Sequence, residues 1–148
     1  MNDVEANKRA VVSYYELAFN EHKPREAVEQ YLGSEYIQHN PQAPDGPEAF
    51  IGFVEAFPEA HIDIRRVVGD GDLVVTHSLI TFNAQDERGT VAADFFRLDD
   101  DGKIVEHWDV LQPFPEESAN DHPDVLAAVL GHGTSGPTEG LVLPQIQP

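Results

Sequence analysis

The 148-residue chain has no cysteine, one tryptophan, one methionine and only three lysines, Lys8, Lys23 and Lys103. Without cysteine there are no disulfides and no thiolate metal sites, and the redox compartment is left open. No apolar run approaches the ~20 residues that cross a bilayer, and the start Met1-Asn2-Asp3-Val4-Glu5 is too polar for a signal peptide, so a cytoplasmic protein is expected. Glycine-rich phosphate loops are missing, and Gly69-Asp70-Gly71-Asp72 reads as a turn. There is no H-E-x-x-H signature, and no serine sits in a nucleophile elbow.

Cations are scarce as well, with 9 Lys plus Arg against 27 Asp plus Glu, for a formal net charge of −18. Such a field repels phosphate backbones and anionic lipid, so neither nucleic acid nor membrane is an expected partner. The acids are spread along the chain rather than gathered in a tail. That distribution suits solubility or adaptation to high salt, where screening relieves self-repulsion.

The order of what is present is helices, then strands. Val4 to Glu21 places Val4, Val11, Tyr14, Tyr15, Ala18 and Phe19 on one helical face. Pro24 opens a second helix carrying Ala27, Val28, Tyr31 and Leu32, with Gly33 at its end. An extended piece, Tyr36-Ile37-Gln38-His39, leads to a Pro/Gly-rich loop from Pro41 to Pro47. A third helix is expected from Pro47 to Phe57, stopped by Pro58. Strands are expected at His61 to Val68, Leu73 to Phe82 and Val91 to Leu98, followed by a hairpin return. The fold class is therefore α+β, with about three helices on one face of a curved antiparallel sheet. Residues 1–115 form that domain, and 116–148 form an extension with a short helix near Asp124 to Leu130 and a Pro/Gly-rich arm, mobile or packed on a neighbouring subunit.

The hairpin Asp94 to Val110 is the richest stretch chemically. Asp101-Gly102 is a turn signal, and Asp94, Phe96 and Leu98 share a face by the two-residue period. A two-residue turn would pair Asp94 with Asp109, a four-residue loop with His107, and a three-residue loop with Trp108. The three-residue loop collects the most apolar set and is preferred. Asp94 then lies beside an indole, where desolvation opposes its charged form, while His107 and Asp109 face outward. If Thr81 lies opposite Thr90, His77 comes opposite Asp94 as an acid–imidazole pair.

Tyr36-Ile37-Gln38-His39-Asn40-Pro41 with Gly46 and the Phe50/Phe53 helix, together with Asp94-Phe95-Phe96-Arg97 and the run Gly102 to Asp109, resembles the SnoaL-like polyketide cyclase family of the nuclear transport factor 2-like superfamily. The resemblance covers roughly Val4 to Pro115. It implies a cone-shaped cavity, homodimers through the outer sheet face and, in cyclase members, an intramolecular aldol condensation on a carbonyl compound without metal or cofactor. It also implies that Asp94 is the general acid/base, a role that burial of a carboxylate makes intelligible. His77 and His39 complete the expected catalytic set, and Trp108, Phe96, Asn40, Tyr36 and Phe53 are expected to contact the ligand. Ketosteroid isomerase-like members tend to carry an aspartate where this chain has Asn40, which disfavours that chemistry here. Two kinds of function stay open: an acid/base enzyme acting on a small apolar carbonyl compound, and a non-catalytic ligand-binding or dimerising module.

Overall fold

The computed structural model describes residues 3–122 apart from 84, 86, 87 and 121, so the helix and arm expected beyond residue 122 lie outside the described residues. Helix α1 (Val4–Tyr15) starts at Asp3, whose carboxylate accepts the Ala6 N–H at 3.0 Å and satisfies one of the donors a helix start leaves over. It runs on into one π-helical turn, Glu16–Asn20. There the Asn20 amide donates to the Ile62 carbonyl and accepts its N–H, both at 2.9 Å, which ties the end of the helix to a sheet edge. Helix α2 (Pro24–Tyr31) opens on Pro24, where the missing N–H is not needed. Strand β1 (Leu32–Gln38) and helix α3 (Glu48–Ala56) follow.

The remaining strands are β2 (His61–Asp70), β3 (Leu73–Thr81), β4 (Thr90–Leu98) and β5 (Ile104–Pro113). They pair in the order β1-β5-β4-β3-β2. The expected antiparallel meander is there as β2 to β5, and β1 adds a fifth strand parallel to β5, so the sheet is mixed. Among the described residues no helix is long and apolar enough to cross a membrane. The helices cover one face of the sheet, where Val11, Tyr14, Ala18 and Phe19 pack with Val74, Ile80, Ala92, Phe96, Leu98 and Ile104. Each large apolar side chain buried there contributes about 1.5–3 kcal/mol.

Two strand registers differ from expectation by one residue, and in a sheet that exchanges the faces. Ile80, not Thr81, lies opposite Thr90, so Thr76 faces Asp94 across the strands and His77 is paired with Ala93. The buried face of β3 is Val74, Thr76, Ser78 and Ile80 rather than the more aliphatic set containing His77.

In the hairpin, Gly102 takes φ 74°, its N–H reaches the Asp99 carbonyl at 3.0 Å, and Leu98 pairs with Ile104 as the three-residue loop requires. Arg97 then pairs with Glu106, leaving Val105 as an extra residue on β5. That bulge turns over the rest of the strand. His107 and Asp109 come to the covered face, with Asp109 opposite Asp94, while Trp108 moves outside opposite Phe95. Gly33 packs closely against the bulge, and a Cβ there would stand 2.7 Å from the Val105 Cγ1 methyl.

Candidate active site

Asp94 projects from the middle of β4 and is only 2 % exposed. Its Oδ1 accepts the Tyr15 hydroxyl at 2.7 Å, from the last residue of α1, and lies 2.9 Å from His107 Nε2. Its Oδ2 is buried without a hydrogen-bond partner among the described residues. A carboxylate oxygen left unpaired in a core is costly unless something else engages it, which is common where a group reacts with a ligand.

The protonation of the pair follows from its neighbours. His107 Nδ1 lies 2.8 Å from Gln38 Oε1, and that oxygen also receives the Asn40 backbone N–H at 3.0 Å. A backbone N–H can only donate, so the atom facing both groups is the amide oxygen, and Nδ1 must carry a hydrogen. A neutral imidazole protonated at Nδ1 has a bare Nε2, which could not sit 2.9 Å from a carboxylate oxygen without a proton between them. Asp94 and His107 therefore share one proton. The Tyr15 phenol is pushed well above its ordinary range, first by burial and then by the Asp94 charge, and it remains a donor.

Asp109 is the second carboxyl. It lines the same cavity as Asp94, and the Asn40 side-chain NH2 spans its two oxygens at 3.0 and 2.8 Å. Asn40 is itself fixed, since its Oδ1 accepts the Gln42 N–H at 2.8 Å. The cavity has a volume of about 340 Å³, and its lining includes the hydrogen-bonded cluster of Asp94, His107, Gln38, Asn40 and Asp109. Phe19, Phe50, Phe53 and Phe82 are the large apolar side chains of its wall, and no Lys or Arg is among the described lining residues. The site suits a largely apolar ligand that carries polar groups for the acid cluster, and it repels anions.

Of the residues expected to contact the ligand, Asn40 and Phe53 line the cavity, Phe96 packs beneath His107 with ring centres 4.9 Å apart, and Tyr36 is buried beside the His107 ring at 6.4 Å. Three others are elsewhere. His77 is on the outer face, where Arg66 donates to its Nδ1 at 3.0 Å. His39 is exposed, 2.8 Å from Glu106 and stacked on Trp108 with ring centres 4.7 Å apart, so the expected mouth histidine and indole wall pack on each other outside the cavity. The register shifts account for His77 and Trp108. His39 follows from the strand, because it continues β1 by one residue past Gln38, where alternation points it outward.

Sequence reasoning missed Tyr15, Gln38, His107 and Asp109 as site residues. Tyr36 is buried and Gln38 lies two residues on, so strand alternation offered a signal for Gln38. Tyr15 was legible only as part of the helix's apolar face. His107 and Asp109 depended on the Val105 bulge. Asp94, His107 and Asp109 also place one ligand atom each within 4.8 Å of one another, which could hold a cation. In this structure hydrogen bonds account for their closest contacts, the shared proton for Asp94 and His107 and the Asn40 amide for Asp109.

Solved structures with the same fold include a Kribbella flavida protein proposed to be a ketosteroid isomerase, 16% identical, covering 91% of this chain and 95% of that one with TM-score 0.62. A protein of Acidithiobacillus ferrooxidans proposed to be a polyketide cyclase is 17% identical over 76% of this chain and 92% of that one, with TM-score 0.61. An LEH-like epoxide hydrolase of M. tuberculosis is 19% identical over 75% and 86%, with TM-score 0.59. At these identities the likeness establishes the fold alone. No curated protein sequence matches. Residues 11–107, from the middle of α1 to the site histidine on β5, match the SnoaL-like domain, and the chain belongs to that family.

Proposed function

We propose that this protein is a cofactor-independent acid/base enzyme that moves protons on a small, mostly apolar carbonyl compound, as in an intramolecular aldol cyclisation or an isomerisation. One observation carries the reading: a cavity open to a ligand ends on one proton-sharing pair, Asp94 with His107, and a separate carboxylate, Asp109. A binding module could have this space filled by side chains, and the open cavity reaching Asp94 favours the enzyme.

The division of labour follows from hydrogen bonding. Asp109, held among the described residues through the Asn40 amide, takes the proton from the carbon next to the carbonyl. For cyclisation, the carbanion then forms a carbon–carbon bond to a second carbonyl carbon, and the electron pair of that C=O moves to its oxygen. The proton shared by Asp94 and His107 passes to that oxygen and makes the hydroxyl. One proton is removed and one is delivered, and transfer from Asp109 back to the pair resets the site. Tyr15 stabilises Asp94 as its charge returns. We further propose that the outer sheet face, with Val68, Phe95 and Val110 exposed, pairs with a second copy of the chain.

The reaction can be tested before a natural substrate is known. In D2O, 2-tetralone and related aryl ketones should exchange the hydrogens next to the carbonyl faster with the protein than in buffer, followed by proton NMR. Asp94→Asn and Asp109→Asn should keep the native circular dichroism and lose about 10²–10⁴-fold of that rate. Aryl ketones that bind in the cavity yet exchange only at the buffer rate, or carboxamide variants exchanging at the wild-type rate, would overturn the assignment.

A further inference from the structure

We infer that Gln38 is a positioning residue that holds His107 in its Nδ1-protonated form, so that the contact between His107 Nε2 and Asp94 Oδ1 is obliged to contain a transferable proton. The inference rests on the acid/base reading for its purpose but not for its test. Gln38 is the last residue of β1, and the parallel pairing with β5 makes it the direct register partner of His107. Its backbone is fixed, with its N–H donating to Asp45 Oδ1 at 2.8 Å, and the next residue's N–H donates to the His107 carbonyl at 2.9 Å.

The Gln38 oxygen receives two donors, the Asn40 N–H at 3.0 Å and His107 Nδ1 at 2.8 Å. The first sets which end of the amide faces the ring, and the second then sets which ring nitrogen keeps a hydrogen. Without that acceptor the imidazole would be free to carry its one hydrogen on Nε2 and donate it to the Asp94 carboxylate. The contact would look the same, but its proton would be the imidazole's own single hydrogen, with none left on Nδ1, and the pair would have none to give to a substrate oxygen. The groups facing His107 from the surrounding elements are Asp94 on β4, Asp109 on β5, Tyr15 on α1 and Tyr36 on β1, with Phe96 beneath the ring. None of these touches Nδ1; Gln38 alone among the described residues does so.

The test is nitrogen-15 NMR of the full-length chain without substrate, at about pH 8, above the ordinary histidine range. The His107 ring signals are identified by their loss in His107→Gln. Wild-type Nδ1 should show the shift and one-bond proton coupling of a protonated nitrogen. Gln38→Met should convert Nδ1 to the bare type and place the hydrogen on Nε2. Gln38→Glu, whose carboxylate still accepts, should keep the wild-type pattern. A bare Nδ1 in the wild type, or an unchanged pattern in Gln38→Met, overturns the inference. If Gln38→Met does not fold, the wild-type and Gln38→Glu spectra decide. A protein with protonated Nδ1 but no ketone exchange would refute the proposed reaction and leave this inference standing, and the reverse combination would do the opposite.

Discussion

Raising the pH should unfold this protein with a steepness set by three phenols. Tyr14, Tyr15 and Tyr36 are 0%, 5% and 6% exposed, and burial pushes all three above the ordinary tyrosine range, with the Asp94 charge adding to the effect on each. In the unfolded chain the same phenols ionise near their free value of about 10. Above that pH the unfolded state binds fewer protons than the native state, so stability is intact below about pH 10 and falls as pH rises toward the folded values. The limiting slope is about 1.4 kcal/mol per pH unit for each phenol, or ~4 kcal/mol for three. By about pH 11 the loss is ~4 kcal/mol, much of the 5–15 kcal/mol that holds a typical domain together. Urea unfolding at a series of pH values, with absorbance at 295 nm reporting phenolate, measures both quantities. Tyr15→Phe should lower stability below about pH 10 by about 1–3 kcal/mol through the lost hydrogen bond to Asp94 and should reduce the alkaline slope by about one third, so that the gap from wild type narrows as pH rises further. If phenolate appears while the protein stays folded, or if the slope corresponds to a single phenol, the account of these tyrosines as buried phenols that stay protonated in the fold is refuted.

Gly33→Ala should cost about 1–3 kcal/mol in urea unfolding, because its Cβ would press on Val105 at the bulge, and an unchanged midpoint would show that the bulge does not need the space. With a net charge of −18, the melting temperature is expected to climb as NaCl rises to about 1 M, where the screening length falls to ~3 Å; a flat response would mean that self-repulsion is negligible. Sedimentation of the full chain should give twice the monomer mass, and Phe95→Asp with Val110→Asp should return it to one; a monomeric wild type would remove the outer-face interface. Hydrogen bonds from His39 and Arg97 hold the Glu106 carboxyl below its ordinary 4.5, so their stabilisation is present above that value and lost as pH falls through the folded one. The gap in melting temperature between wild type and Glu106→Gln should therefore close in acid, and a gap independent of pH would contradict the pairing.

The helices and the meander were legible because their signals are local. Pro24 and Pro58 mark helix limits, Gly102 marks the hairpin turn, and Leu98 opposite Ile104 follows from the loop those residues form. The candidate site was legible at Asp94, whose face depends only on counting along β4. What lay beyond reach were relations between strands. The Val105 bulge leaves no mark on β5 itself; the close neighbour that bears on it is Gly33, on a strand 72 residues earlier in a different pairing, and the shift it makes decides whether His107 or Trp108 faces the core. The same limit applies to His77: its strand was correctly placed, but one residue of register against β4 exchanged it for Thr76. Aliphatic content misled at β3, because the face with two hydroxyls is the one the helices cover.

The bulge also explains why the site is locally unfavourable. It makes Asp94 and Asp109 direct cross-strand partners on a covered face, and like charges so placed destabilise a sheet. A strand pair selected for stability alone would place Trp108 there, as hydrophobic patterning predicts. The structure offsets the conflict with local neutralisation: a proton held between Asp94 and His107, the Tyr15 hydroxyl on the same oxygen, and the Asn40 amide across Asp109. Each device leaves a group able to gain or lose a proton. Sequence patterning fails at the residues where the fold accepts an unfavourable arrangement, and such failures concentrate at sites kept for chemistry. On this reasoning, replacing both carboxylates with asparagine should raise the protein's stability while removing ketone exchange. A double variant less stable than wild type would mean that the acids serve the fold.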